Sequence, residues 1–70
     1  MNIGEVLKIA HDAGYKPGVY RRGLYWRVHL DVGGNRWSDE PSLDDAAMWL
    51  MKVMDEEYVT VQKKLKEENK

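Results

Sequence analysis

Arginine and aromatic residues cluster in the first half of this 70-residue chain, where all four arginines fall between positions 21 and 36. Residues 15–38 carry five cations against one aspartate, whereas residues 39–57 carry seven acids against one lysine. Guanidinium groups contact phosphates and aromatic rings stack on bases, so the first segment is typical of a nucleic-acid surface. The sequence therefore indicates a basic half and an acidic half, in a chain of net charge −1.

Six residues are the candidates for binding an anion or a nucleic acid: Arg21, Arg22, Tyr25, Arg27, His29 and Arg36. We expect them on the outer face of a sheet, either on its central strand or at its turns and neighbouring strands. The alternative is that they only cover an exposed strand face, for which tyrosine and arginine are well suited.

The sequence contains few residues of the types that form catalytic or metal-binding sites. The chain has no cysteine, and its two serines are Ser38 and Ser42, of which the second is explained as a helix cap. Neither His11 nor His29 has another ligand-type residue at metal-binding spacing, apart from Asp12 beside His11, and adjacent side chains diverge on a helix. We therefore expect a protein that is not an enzyme and that has no metal and no cofactor.

The second half predicts one long amphipathic helix from residue 43 to about 65. Its apolar stripe comprises Leu43, Ala47, Leu50, Met54, Tyr58, Val61 and Leu65. Met48 and Trp49 fall on opposite flanks of this stripe and Val53 lies at its edge, and such surplus apolar surface is typical of a protein interface. The alternative is that Trp49 packs against the N-terminal helix, which would also bury Val53.

A strand is predicted over residues 24–32, where five apolar side chains alternate with four polar ones. Flanking strands are expected at 19–21 and 36–39, with turns at Gly23 and at Gly33-Gly34. Lys16-Pro17-Gly18 suits a type II turn in which the glycine takes a positive φ. The two periodicities predict a core centred on Trp26, Val28, Leu30, Leu50 and Met54.

The N-terminal segment predicts a short helix over residues 3–13, opened by a capping box of Asn2 and Glu5. The fold class is therefore α+β, with αβββα order: a three-stranded antiparallel meander packed against a short N-terminal and a long C-terminal helix. We expect one compact domain over residues 1–62 and a charged, frayed tail over residues 63–70.

Cellular location is predicted from what the sequence lacks. The longest apolar run has six residues, against the roughly 20 that a bilayer requires. With no cysteine and no secretory signal, the chain is expected in the cytoplasm, away from the membrane. Its small size is typical of phage or prophage proteins, which suggests a regulator or inhibitor.

The predicted element order resembles the double-stranded-RNA-binding domain over roughly residues 2–58. The likeness rests on a strand ending in Val32-Gly33-Gly34, a short return strand, and Ser42 opening a helix. In that family a lysine cluster at the start of the second helix grips phosphates, and residues 43–47 here are Leu-Asp-Asp-Ala-Ala. The resemblance thus implies the fold without the family's RNA-binding lysines. The meander followed by a helix is also similar to the arm-type DNA-binding domains of phage integrases, which use their sheet.

The function expected from these features is binding of another protein or of a second copy of the chain. Acids at the start of the long helix repel nucleic acid, whereas Trp49 and Met48 favour an apolar protein contact. The alternative function is nucleic-acid binding through the basic outer face of the sheet.

Overall fold

The computed structural model describes the backbone of residues 2–68 and the side chains of residues 2–58. Three antiparallel strands form one sheet in the order β1-β2-β3, with one helix before the sheet and one after it. The elements are α1 (Ile3–Asp12), β1 (Gly18–Arg22), β2 (Tyr25–Asp31), β3 (Asn35–Glu40) and α2 (Leu43–Glu68). The predicted α+β class and αβββα order are confirmed.

Side-chain caps define the start of both helices. The Asn2 side chain accepts the backbone N–H of Glu5 at 2.9 Å, and the Glu5 carboxylate accepts from the Asn2 side-chain amide at 3.5 Å instead of from the cap N–H. At α2, the Ser42 hydroxyl oxygen accepts the Asp45 N–H at 3.1 Å and donates to the Asp45 carboxylate at 2.9 Å. Local sequence therefore places both helix starts correctly.

The long helix α2 continues to Glu68, beyond the predicted limit near residue 65. The division into a compact domain of residues 1–62 and a charged tail of residues 63–70 stays a prediction. Within the part of the chain that the structure describes, no helix combines the length and the apolar composition that crossing a bilayer requires.

The turn between β1 and β2 differs from the sequence expectation at one residue. Gly23 takes the first loop position with a φ of 63°, as a type II′ hairpin turn requires. Leu24 takes the second position and is 82% exposed, so it does not extend the buried face of β2 as the alternation predicts. The reason is that the turn includes Leu24, the first residue of the apolar alternation, so β2 begins one residue later, at Tyr25.

The core lies between one face of the sheet and the two helices. Its buried residues are Val6, Ala10, Val28, Leu30, Ala46, Ala47, Leu50 and Val53. Val28, Leu30 and Leu50 are fully buried as predicted, whereas Trp26 and Met54 are only half-buried. The buried side of α2 is therefore centred on Ala46, Leu50 and Val53, and is rotated around the helix axis away from Met54.

We expect Leu50→Ala to lower the free energy of unfolding by about 2–5 kcal/mol, because the substitution leaves a cavity among fully buried neighbours. Met48→Ala on the same helix is the matched control, since Met48 is 68% exposed and its loss should cost less than about 0.5 kcal/mol. Urea unfolding followed by circular dichroism measures both. Equal midpoints for the two variants would place the core elsewhere.

Candidate functional site

The outer face of the sheet, away from the helices, is the first candidate surface. Arg27 and His29 project from β2 on this face because the residues that alternate with them are buried in the core. Directly opposed residues of antiparallel strands share a face. Tyr20, which opposes Arg27, and Trp37, which opposes His29, therefore also project outward.

Arg21 does not belong to this outer face, contrary to the sequence expectation. It opposes Trp26, so it lies on the same side of the sheet as the helices. Its Nε donates to the Gly23 carbonyl at 2.9 Å, and its guanidinium carbon lies 5.4 Å from the centroid of the Trp26 ring. Arg21 thus closes the end of the hairpin over the half-buried indole.

Arg36 is also on the helix side, because it opposes Leu30. Its Nη1 donates to Glu56 of α2 at 3.2 Å, which joins β3 to the long helix. The structure therefore divides the six predicted residues between two faces. Arg22, Tyr25, Arg27 and His29 share the outer face, and Arg21 and Arg36 lie on the other.

Arg27 is held by two neighbours on β3. Its Nε and Nη2 donate to the two carboxylate oxygens of Asp39 at 2.8 and 2.9 Å, and its guanidinium lies 4.1 Å from the Trp37 ring centroid. The hydrogen bonds with Arg27 lower the pKa of Asp39 below its ordinary value, and they raise the pKa of Arg27. A phosphate would have to displace Asp39 to obtain both of these donors.

The paired strand residues of the outer face carry no net charge at neutral pH with histidine neutral. They include two arginines and two aspartates, namely Arg22, Arg27, Asp31 and Asp39. The surplus of positive charge that the sequence shows for residues 15–38 is therefore not concentrated on this face. The expected basic sheet surface is instead a neutral one.

His29 lies over Gly18 on the outer face, and the two residues oppose each other in the sheet. A Cβ added at Gly18 would overlap the imidazole ring, so only glycine leaves room for this arrangement. Gly18 is not among the glycines with positive φ, and it begins β1 rather than completing the predicted type II turn. Glycine is required at position 18 because a side chain would collide with His29, and not because of its backbone conformation.

Aromatic side chains border a cleft of about 360 Å³ on this face. Its lining residues are Tyr20, Arg27, His29, Asn35 and Trp37. The Tyr20 and His29 rings lie 6.3 Å apart and are tilted by 58°, while Tyr20 is 46% and Trp37 is 55% exposed. Sequence reasoning missed Tyr20 and Trp37, although the same two-residue alternation applied to β1 and β3 would have placed both outward.

We expect the Arg27–Asp39 pair to make stability depend on pH. The folded pKa of Asp39 lies below its ordinary value of 3.8, so the stabilisation is complete above that value and is lost as pH falls through the lowered pKa. Asp39→Asn should therefore be less stable than the wild type near neutral pH, and this difference should shrink in acid.

Urea midpoints of both proteins between about pH 6 and about pH 2 test this dependence. Asp31→Asn is the control, because it removes another aspartate of the same face without touching the pair. A difference between the wild type and Asp39→Asn that stays constant over the whole range would contradict the prediction.

The second candidate surface is an apolar groove of about 560 Å³ between α1 and α2. Its lining residues are Ile9, Met51, Lys52, Met54, Asp55 and Tyr58. Ile9 is 45%, Met51 is 44% and Tyr58 is 62% exposed, which is unusual for such large apolar side chains in close proximity. We call these residues the helix groove.

The three predicted interface residues have different environments. Val53 is 1% exposed and belongs to the core, so it is not available to a partner of the folded chain. Trp49 is half-buried and packs against the core. It precedes Glu56 by two helical turns, which places it on the β3 side of α2 instead of against α1. Met48 is 68% exposed, one turn before Met51 of the groove.

Sequence reasoning missed the groove because it assigned Met54 and Tyr58 to the buried stripe. The actual core uses Ala46, Leu50 and Val53, so the buried side of α2 is rotated away from Met54 and Tyr58. This rotation leaves Tyr58 outside the core. Two apolar stripes on adjacent sides of one helix have similar spacing, and periodicity alone does not separate them.

Comparison with known proteins finds no matching family model, no matching curated protein and no matching solved structure. The resemblance to double-stranded-RNA-binding domains therefore stays a prediction. Among the described side chains of residues 2–58, no group of three or more histidine, aspartate or glutamate residues is arranged to hold a metal ion.

Proposed function

We propose that this chain is a non-catalytic protein-binding domain and that the helix groove is its contact surface. The observation that carries the proposal is the juxtaposition of Ile9, Met51 and Tyr58, each 44–62% exposed and lining one groove. Large apolar side chains that converge in a groove between helices match the way proteins hold an amphipathic helix. Binding there would make the chain a regulator or inhibitor of its partner, and lack of cysteine fits a cytoplasmic location.

Charge at the rim of the groove supports a peptide partner over a nucleic acid. Lys52 and Asp55 line the groove with opposite charges, and the first turn of α2 carries Asp44 and Asp45. The groove rim has no surplus of positive charge to attract a polyanion and the start of the same helix is acidic, whereas a helix with mixed charges at its edges matches the rim. The methionines add adaptable apolar surface of the kind that binds varied helices.

A displayed library of helical peptides tests the groove. We expect selection on the wild-type chain to enrich sequences with apolar residues at helical spacing, and binding of the selected peptides to fall at least about tenfold in Met51→Glu, because the substitution puts a charge into an apolar contact. Leu24→Glu is the control, since Leu24 is exposed in the β1–β2 turn, outside the groove, and should bind as the wild type does. Enriched peptides that bind Met51→Glu equally well, or no enrichment at all, would overturn the proposal.

Single-stranded nucleic acid is the second candidate partner, and the outer face of the sheet is its surface. Tyr20, Tyr25 and Trp37 are each about half exposed there, and exposed rings on a sheet stack on bases. Against this, the charges of the face cancel and Arg27 is already paired with Asp39. Stacking would therefore supply most of the affinity, with a weak dependence on salt.

Anisotropy of a labelled oligothymidylate tests this candidate. Stacking on an aromatic side chain contributes about 1–3 kcal/mol per base, so Trp37→Ala should weaken binding by roughly 5- to 150-fold. Leu24→Ala, an exposed residue of the β1–β2 turn, is the control. No change in anisotropy at low salt, or equal binding by both variants, would contradict nucleic-acid binding by this face.

A further inference from the structure

The cleft on the outer face of the sheet lies between two side chains of β2 that lean apart. Arg27 leans toward β3, where its guanidinium bonds to Asp39 and lies over the Trp37 ring. His29 leans toward β1, because its imidazole occupies the space where a side chain of residue Gly18 would stand. The cleft opens between these two side chains, and we call it the outer cleft.

Both sides of the outer cleft carry aromatic rings. Tyr20 and His29 form the side toward β1, with their ring centroids 6.3 Å apart. Trp37 forms the side toward β3 together with Arg27, and Asn35 lies at the start of the same strand. A planar ring that enters the cleft therefore meets aromatic surface on either side, which is how proteins hold an unstacked base.

Gly18 keeps the outer cleft open. It pairs with His29 in the sheet and its φ is not positive, so alanine could adopt the same backbone conformation. What a side chain at this position would lack is space, because the imidazole ring is already there. A His29 ring displaced from β1 would move back over its own strand and into the cleft.

The charges of the outer cleft favour a neutral ligand. Nε and Nη2 of Arg27 are bonded to the carboxylate of Asp39, so the two charges cancel. A cationic ligand would meet the guanidinium, and a phosphate would have to compete with Asp39 for the same donors. A nucleobase is neutral and planar, and every base presents a face that stacks on an aromatic ring.

Asn35 adds a polar group that suits the edge of a base. Its side-chain amide holds hydrogen-bond donors and an acceptor in one plane. Base edges present acceptors and donors side by side, and asparagine binds such an edge through two hydrogen bonds. Asn35 is exposed and lines the outer cleft, so its amide is accessible to a base that is stacked there.

We propose that the outer cleft binds one nucleobase, stacked against Trp37 with its edge toward Asn35, and that Gly18 and His29 hold the cleft open for it. This inference rests on the second candidate function in taking a base as the ligand, and it assigns that base to one site. The base can belong to a single strand or to a free nucleoside, and different probes distinguish these two sources.

Gly18→Ala tests the site without changing a residue that would contact the base. The added methyl group takes the place of the His29 ring, which must then enter the outer cleft. Anisotropy should show binding of labelled oligothymidylate at least about tenfold weaker than in the wild type, because one stacked base is lost. Leu24→Ala is the control, since Leu24 lies in the β1–β2 turn outside the cleft, and it should bind as the wild type does.

His29→Ala shows whether the loss acts through the imidazole ring. Without that ring Gly18→Ala has nothing to displace, so the double variant should bind within about twofold of His29→Ala alone. This comparison also separates closure of the cleft from a folding defect, which would persist in the double variant. Wild-type binding by Gly18→Ala, or an equal loss in both backgrounds, would overturn the proposal.

Free thymidine tests whether a base alone is sufficient. At millimolar concentration it should shift the NMR signals of the Trp37 indole and the Asn35 side-chain amide in the wild type but not in Gly18→Ala. An oligomer of abasic deoxyribose phosphate separates the base from the backbone. If that oligomer bound as tightly as oligothymidylate of the same length, the base would be overturned as the occupant.

These outcomes distinguish the inference from the second candidate function. Oligothymidylate that binds through Trp37 but is indifferent to Gly18→Ala would leave the second candidate function and overturn the outer cleft as the base site. A thymidine response without oligothymidylate binding would support the cleft as a site for a free nucleoside and remove single-stranded nucleic acid as a partner. Failure of both ligands to bind would remove both proposals.

Discussion

Val28 and Leu30 are fully buried in one cluster with Leu50 of α2, and this burial sets the orientation of every side chain in the sheet. Because successive side chains of a strand point to opposite faces, Arg27 and His29 must face outward. Pairing with β2 fixes the orientation of β3 in the same way, so Trp37 points outward and Arg36 faces the helices. A slip of one residue in that pairing would exchange the two and remove the aromatic wall of the outer cleft.

The basic and acidic halves of the sequence pair with each other in the folded chain. Arg27 binds Asp39 on the outer face and Arg36 binds Glu56 between β3 and α2, so each ion pair joins one residue from each half. Both pairs are partly exposed, and such pairs contribute modestly to stability. They also neutralise two of the four arginines of the chain, which lowers the attraction of this half for a polyanion.

The long helix α2 has one side that is buried in the core and an adjacent side that is exposed. Ala46, Leu50 and Val53 pack against the sheet and α1, while Met51 and Tyr58 remain accessible beside Ile9. The first side contributes to the core, and a small sheet needs such a helix packed on its apolar face to be stable. The second side provides an exposed apolar surface that lines a groove with α1.

Local patterns in the sequence determined the order of elements, the caps at Asn2 and Ser42, and the burial of Val28 and Leu30, because each depends on residues within a few positions of one another. Only the tertiary structure decided which arginines share a face, since that depends on strand register, and which stripe of α2 is buried, since that depends on where α1 and the sheet lie. Arg36 and Val53 show the difference. Each fits a plausible surface by spacing alone, and each is assigned elsewhere by a contact with a residue distant in the sequence.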